Sequence, residues 1–476
     1  RLRRNIVYQF LYELLIVFIP LFTIPYVSRV LGAENIGLFS YTYAVANYFV
    51  LFANLGIKNY GSRTIAMVRN NKEELNRNFS EILSIHIIFS IIVIFVYLVL
   101  LFFFVEDNLV IFLIQSIYVF AAVFDINWFF FGIEKFKLTV GRNTLVKILS
   151  VFLVLVFVKT QTDLWIYALI LALSVFVGQS VVWFALKQYV SWRRPSWANM
   201  KQHIRPLFVL FLPILALSLY KYMDKIMLGS ISSNVQVGFY ENAEKIINVP
   251  MSLIMAFGVV LMPRIANMVT SKDKGEVFKL IDMSMEAVML LAIAISFGLA
   301  GISFVLAPIF FGYEFEECGI LIMGLAVTVP FMAFANVIRT QYLIPYKEDK
   351  IFVVSLFLGA AVNLIVNIIL IPYMAARGAV IGTIFAEIIV CIYQSYFVRK
   401  KIFIKKYLLN TIPPILIGIV MFVFVFQIGN VMNINIVTLI LQLLVGMFIY
   451  AVGVFLLMLK SRTRLMVLLR KFVVRY

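Results

Sequence analysis

Fourteen apolar stretches of about 20 residues, separated by short polar breaks, limit this chain more than any other feature. They run at 6–30, 36–57, 80–105, 109–131, 141–159, 164–186, 207–230, 237–262, 284–311, 318–344, 351–371, 378–398, 405–428 and 434–459. A run of that length crosses a hydrocarbon core of roughly 30 Å as a helix, and in lipid the backbone must satisfy its own hydrogen bonds. The spacing therefore predicts an all-α integral membrane protein with about fourteen transmembrane helices. Composition agrees. Charged residues make up 13% and hydrophobic ones 63%, against about 25% charged in soluble proteins. The first run follows Arg1, Arg3 and Arg4 as a signal peptide would. It is long, holds Glu13 and ends in no small-residue cleavage pattern, so it reads as a retained helix. The tail from Lys460 is basic and reads as an amphipathic helix lying along the membrane.

Net charge is +18, and its placement separates membrane from nucleic acid as the cause. The basic residues sit in short clusters between apolar runs, which points to the membrane surface and away from a nucleic-acid face. With Arg1 inside, the inner loops hold Lys58 to Arg77; Lys135, Lys137 and Arg142; Lys187 to Arg205; Arg264 to Lys279; Lys347 and Lys350; Arg399 to Lys406; and the tail. The alternate loops are poor in Lys and Arg, and only Arg29, Lys159 and Arg377 fall outside. An even helix number with both termini cytoplasmic fits every loop. Inserted domains are absent from this pattern, since every loop is short.

A weak internal repeat organises the helices. Arg29-Val-Leu-Gly32 followed by Gly37-Leu-Phe39-Ser-Tyr41 is matched by Lys225-Ile-Met-Leu-Gly229 followed by Gly238-Phe-Tyr240. Gly56 to Arg63 is matched by Gly258 to Arg264, and Gly132 to Lys137 by Leu343 to Lys347. In each half a Leu-Gly is expected to close one helix and a Gly-aromatic to open the next. The expected organisation is an N-terminal six-helix lobe (1–190), a basic cytoplasmic linker (191–205), a pseudo-symmetric second six-helix lobe (206–400), and two extra helices with a basic tail (401–476). Two lobes of one orientation predict a central cleft, where transporters bind substrate.

Charges inside apolar runs cost at least about 2.5–3.5 kcal/mol on insertion scales and so face protein or water. The basic ones are Lys147, Lys221, Lys225 and Arg339, with Arg29 at an outer helix end. The acidic ones are Glu13, Asp125, Asp224, Glu286 and Glu387. Lys221, Asp224 and Lys225 are spaced i, i+3, i+4 and share one helical stripe. That stripe is either a structural ion pair or a cavity-facing anion site with one net positive charge. Arg29, Lys147 and Arg339 are either functional or snorkelling. The acids either carry a coupling Na+ or H+ or neutralise a neighbour. His86 reads as a hydrogen-bonded packing residue, Pro20 and Pro25 as kink sites, and the 378–382 Gly-Ala-Val-Ile-Gly run as close helix packing. Cys318 and Cys391 read as apolar filler, with no metal site. Neither a phosphate-cradling Gly-x4-Gly-Lys-Ser/Thr run nor an outer loop rich in carboxylates or histidines is present, so nothing predicts an enzyme or a cofactor.

Pro25-Tyr-Val-Ser-Arg29-Val-Leu-Gly32-Ala-Glu-Asn-Ile-Gly37 resembles the first-helix motif of bacterial polysaccharide repeat-unit flippases, the Wzx type of the multidrug/oligosaccharidyl-lipid/polysaccharide exporter superfamily. Trp128 to Lys135, Leu219-Tyr220 with Asp224 to Gly229, and Gly238-Phe-Tyr240 are similar to its fourth- and seventh-helix signatures. The likeness covers at least residues 5–250, and one departure is Phe131, where a polar glutamine is expected. The resemblance implies transfer of undecaprenyl-pyrophosphate-linked oligosaccharide across a bacterial cytoplasmic membrane by alternating access, for O-antigen or capsule. A polysaccharide polymerase and assembly proteins are the implied partners. Arg29, Lys221 and Lys225 are the best-placed cations for a diphosphate, with Lys147 and Arg339 nearer the cytoplasmic mouth. Tyr41, Tyr48, Tyr220 and Trp128 are candidates to stack on sugars. A cation-coupled multidrug exporter of the same superfamily is the alternative; its cavity should be acidic or neutral, against which the lysines argue. A membrane polysaccharide polymerase or ligase would need a large outer loop.

Overall fold

The computed structural model describes residues 2–270, 274–460 and 465–467. Within them it leaves out the side chains of 2–21, 136–138, 140, 220, 259, 260, 263, 270 and 274. The side chains of Glu13, Pro20 and Tyr220 and most of the tail predicted to be amphipathic lie outside this description. Among the described residues every regular element is helical, and eleven helices are long and apolar enough to cross a membrane. The chain divides into two compact units, 1–229 and 230–476.

The first unit contains α1 (Leu2–Asn54), α2 (Ile57–Val68), α3 (Lys72–Phe104), α4 (Leu109–Val123), α5 (Asn127–Gly132), α6 (Phe136–Phe157), α7 (Leu164–Leu186) and α8 (Trp197–Ile231). The non-helical residue within α1 is Gly32, at φ 77° and ψ 171°. A left-handed φ is open to glycine at no steric cost, so Gly32 separates an arm at 2–31 from one at 33–54. Asn71 starts α3 by accepting bonds from the Glu73 and Glu74 amides at 3.1 and 3.3 Å, and those two carboxylates face the positive end of the helix dipole. Gly56, at φ 72°, brings the end of α1 against the backbone of α8. A β-carbon there would lie 2.8 Å from the Leu207 carbonyl oxygen and 3.0 Å from the Phe211 nitrogen. Around this junction Leu55, Ile57, Ile65, Phe79, Ile82, Trp128, Phe129 and Phe211 form a buried core.

The run at 109–131, expected as one helix, is broken between α4 and α5. Asp125 Oδ1 accepts from the Asn127 backbone at 3.0 Å and from its amide nitrogen at 2.7 Å. A short acidic side chain that hydrogen-bonds two residues ahead competes with the helical ladder.

The second unit contains α9 (Asn234–Thr270), α10 (Lys274–Phe311), α11 (Cys318–Ala326), α12 (Thr328–Ile338), α13 (Asp349–Met374), α14 (Ala376–Val398), α15 (Ile404–Val431) and α16 (Ile436–Lys460). A single π-helical turn, Arg339–Leu343, extends α12. The 378–382 run packs closely, as expected: a β-carbon on Gly378 would lie 2.7 Å from the Leu370 carbonyl, and Gly382 abuts the Asn367 side chain. Cys318 is buried and its thiol donates to the Phe239 carbonyl.

The glycines of the repeat do other work than predicted. Gly229 lies inside α8, which continues to Ile231, and α9 opens at Asn234, ahead of Gly238. Gly37 likewise falls within α1. The role of Gly229 is space: the Tyr41 ring lies directly against it, so two motifs read as repeats of one another meet in the folded first unit.

Candidate functional site

Helix α8 carries the stripe Lys221, Asp224 and Lys225. Asp224 is 4% exposed and Lys225 7%, while Lys221 is exposed with its Nζ 5.3 Å from the centroid of the Tyr222 ring. Burying two ions on a mostly apolar helix is tolerable only where opposite charge and hydrogen-bonding groups compensate. Here tyrosines from α1 and α4 gather at the stripe. The Tyr48 ring meets Tyr222 edge-on at 5.9 Å, and Tyr43 meets Tyr118 at 5.1 Å. The Lys221 and Lys225 charges both act on Tyr43, and the Asp224 charge acts on Tyr48. The stripe carries two positive charges against one negative, with phenol hydroxyls around it. Such a surface suits a phosphate-like anion, because ammonium groups and hydroxyls both donate to its oxygens.

Beside Tyr222 a cavity of about 230 Å³ opens within the first unit, lined by Asn47, Val50, Leu51, Asn54, Gly56, Lys58, Asp125, Trp128, Ile214, Ser218 and Tyr222. Its wall comes from α1, the start of α2, the α4–α5 break and α8. Amides, hydroxyls, one cation and one carboxylate in an otherwise apolar recess give it donors and acceptors of both kinds. Asp125 is built in firmly: Asn127 donates to it and also to Gln179 Oε1 at 2.8 Å, while Arg142 Nη2 donates to Asn127 Oδ1 at 3.1 Å. Arg142 also donates to the Gly178 carbonyl at 2.7 Å. The carboxylate thus reaches a guanidinium through one amide.

The other predicted residues sit elsewhere. Arg29 is exposed on α1 just before Gly32, and Lys147 is half-buried on α6. In the second unit Arg339 opens the π turn, donates to Asn336 Oδ1 at 2.6 Å, lies 5.3 Å from the Phe352 ring centroid and feels the charge of buried Glu387. Glu286 lines a small pocket with Tyr407, Asn410 and Thr411. The structure thus keeps Lys221, Asp224 and Lys225 on one stripe and sets Glu387 within electrostatic reach of Arg339.

Two aromatic expectations change. Gly61 lies against the Trp128 six-membered ring, and Phe79 stacks on the indole at 5.6 Å. With its faces so covered, Trp128 is not a platform for sugar. Tyr41 is likewise engaged by Gly229 and by Phe112. His86 is fully buried and acts electrostatically on Asp125, yet among the described residues neither ring nitrogen has a hydrogen-bond partner; the expected bonding is not seen among them. Sequence reading missed Tyr43, Tyr118, Tyr222, Asn47 and Lys58. The Tyr41, Tyr43, Tyr48 spacing was the available signal, but a tyrosine near a membrane surface reads first as an interface residue.

Residues 2–269 match the family described as "Polysaccharide biosynthesis protein". The chain belongs to that family. Membership agrees with the resemblance to repeat-unit flippases carried by the Pro25–Gly37 motif. Among relatives of this polysaccharide biosynthesis protein, a putative O-antigen transporter of Shigella dysenteriae is 24% identical over 83% of this chain and 99% of its own length. A second, from Escherichia coli strain K12, is 26% identical over 84% and 97%. The fold is similar to that of a solved structure described as lipid II flippase MurJ, inward closed conformation, with TM-score 0.73 and 16% identity over 94% of this chain and 98% of the other. The chain is a multi-pass membrane protein of polysaccharide biosynthesis.

Proposed function

We propose that this protein is a flippase that carries undecaprenyl-pyrophosphate-linked oligosaccharide repeat units from the cytoplasmic to the outer leaflet of a bacterial cytoplasmic membrane. It works by alternating access of fourteen spans, six in each of two lobes plus two at the C-terminal end, with both termini cytoplasmic. The observation that carries the reading is the Lys221–Asp224–Lys225 stripe: two cations and one anion, two of them buried, ringed by tyrosines. A drug exporter for organic cations gains nothing from surplus positive charge, whereas a diphosphate head entering an apolar passage requires it. Names of relatives as O-antigen transporters and of the structural neighbour as a lipid II flippase support the same substrate class.

In this reading Lys221 and Lys225 hold the pyrophosphate, Arg29, Lys147 and Arg339 guide it, and the recess lined by Asn47, Asn54 and Ser218 accepts sugar hydroxyls. Coupling to Na+ or H+ falls to one or more of Glu13, Asp125, Asp224, Glu286 and Glu387. A polysaccharide polymerase receives the product. Replacement of Arg29, Lys221 or Lys225 by Ala in a host depending on this chain should abolish surface polysaccharide while membrane levels hold. Full export by all three variants would overturn the cationic site.

A further inference from the structure

Beyond the charges assigned to the substrate, the first unit contains a chain of three titratable groups from three helices, two of them buried and one half-buried. Tyr60 of α2 meets His203 of α8, with its hydroxyl 2.6 Å from Nδ1, and His203 Nε2 lies 2.9 Å from Glu81 Oε2 of α3. Glu81 is 1% exposed and His203 3%. The Thr64 hydroxyl is a further hydrogen-bond partner of Tyr60. Among the described residues Glu81 is the charged group that meets the imidazole; Arg77 on α3 and Lys201 and Arg205 on α8 are exposed. Nothing in the substrate reading uses these residues.

The geometry points to a proton-binding site, and we propose that its occupancy sets how firmly the cytoplasmic root of α8 is held. With neutral imidazole, Tyr60 donates to Nδ1 and Nε2 donates to the Glu81 carboxylate, leaving one buried negative charge. With a second ring proton, Nδ1 donates to the Tyr60 oxygen, Tyr60 turns its hydrogen to Thr64, and the pair becomes neutral. Each state keeps every hydrogen bond, so the site stores one proton without breaking its own network. A purely structural clamp of helices in an apolar setting has no need of an ionisable pair.

The location supplies the consequence. α8 is gripped at His203 and again where Gly56 meets Leu207 and Phe211. Pro206 and Pro213 lie within it, and proline inside a helix removes a backbone bond and favours bending there. The substrate-facing stripe at 221–225 lies beyond both prolines. A proton at the root neutralises the buried charge and tightens the grip of α2 and α3; its loss leaves an uncompensated carboxylate and loosens that grip. Tyr60, Glu81 and His203 are positioning residues, acting through α8. The effect on transport rests on the flippase reading, whereas the proton site does not.

The chain has two histidines, so imidazole-15N-labelled protein in lipid nanodiscs gives two signals, and a His86→Asn variant leaves His203 alone. The His203 signal should move between two protonation states as the pH is changed. Glu81→Gln should weaken its proton affinity by about tenfold or more. An imidazole that stays in one state throughout, or a titration that Glu81→Gln leaves unchanged, would overturn the site. If Glu81→Gln does not fold, Tyr60→Phe keeps the ring, removes the Nδ1 partner and must also change the titration; an unchanged curve overturns the proposal equally. For the consequence, proteoliposomes carrying a polyprenyl-pyrophosphate-linked sugar should show a pH profile of transfer displaced in Glu81→Gln relative to wild type. Superimposable profiles overturn the link to α8. If wild type transfers nothing, the flippase reading fails while the resonance titration still decides the proton site.

Discussion

Gly56→Ala tests how the folded first unit holds α8. The position combines two constraints: a φ of 72° and a β-carbon that would meet the Leu207 oxygen at 2.8 Å, the Phe211 nitrogen at 3.0 Å and the Leu210 carbonyl carbon at 3.2 Å. A left-handed conformation costs a side-chain-bearing residue roughly 1–2 kcal/mol. The neighbours are backbone atoms that cannot rotate away, so the overlap adds about 1–3 kcal/mol. The expected loss is about 2–5 kcal/mol in all. Gly141 in α6 is the internal control, because a β-carbon there meets nothing within 4 Å. Gly141→Ala should be neutral or stabilising by about 0.5–1 kcal/mol, the ordinary gain on replacing a helical glycine. Thermal unfolding in one detergent, followed by the fraction that still elutes as a single species, ranks the three proteins. Gly56→Ala should melt below wild type and Gly141→Ala at or above it. Equal midpoints for Gly56→Ala and wild type would refute the close approach of α1 to α8.

Gly229→Ala should destabilise by displacing the Tyr41 ring that lies on it, and adding Tyr41→Ala should recover part of the loss; strictly additive effects on melting would argue against contact. In the segment at 159–163, Asp163 Oδ2 accepts from the Lys159 and Thr160 amides at 2.8 Å each. Those bonds favour the carboxylate and hold its pKa below the ordinary value. A depressed folded pKa means stability that is present above the ordinary carboxylate range and lost as pH falls through the folded value. Asp163→Asn should therefore reduce the acid sensitivity of local protease resistance, and an unchanged acid profile would contradict it. The Arg377–Glu317 pair, at 3.0 Å but about half exposed on both sides, should be worth under about 1 kcal/mol, so Glu317→Gln should leave the melting midpoint nearly unmoved.

The helical fold was legible because apolar run length is a direct consequence of bilayer thickness. Most of each predicted run lies on helical backbone, with the 109–131 run broken between Val123 and Asn127. Interruptions were less legible. Asp125 was marked as a costly charge, but that it breaks the helix follows from its bond to the Asn127 amide, which competes locally with a strong apolar pattern. Gly32 was visible as a helix end, whereas the identical Leu-Gly at 229 turned out to seat Tyr41, because spacing alone does not distinguish a glycine needed for φ from one needed for room. Lys221, Asp224 and Lys225 were readable as one stripe from the 3.6-residue period. Their tyrosine surround was not, since Tyr43 and Tyr118 come from other helices. The Tyr60–His203–Glu81 chain spans 143 residues in sequence between Tyr60 and His203, and no local pattern announces such a contact.

The most direct test of the central claim is transfer of a polyprenyl-pyrophosphate-linked oligosaccharide across proteoliposomes containing the purified chain. Lys221→Ala is the variant of choice, since Lys221 is the exposed member of the stripe. Loss of one charged contact to phosphate, worth about 1.5–3 kcal/mol, predicts a fall in transfer at limiting substrate of about tenfold or more. Undiminished transfer by Lys221→Ala, in protein as well folded as wild type, would contradict the assignment of the α8 stripe to the diphosphate.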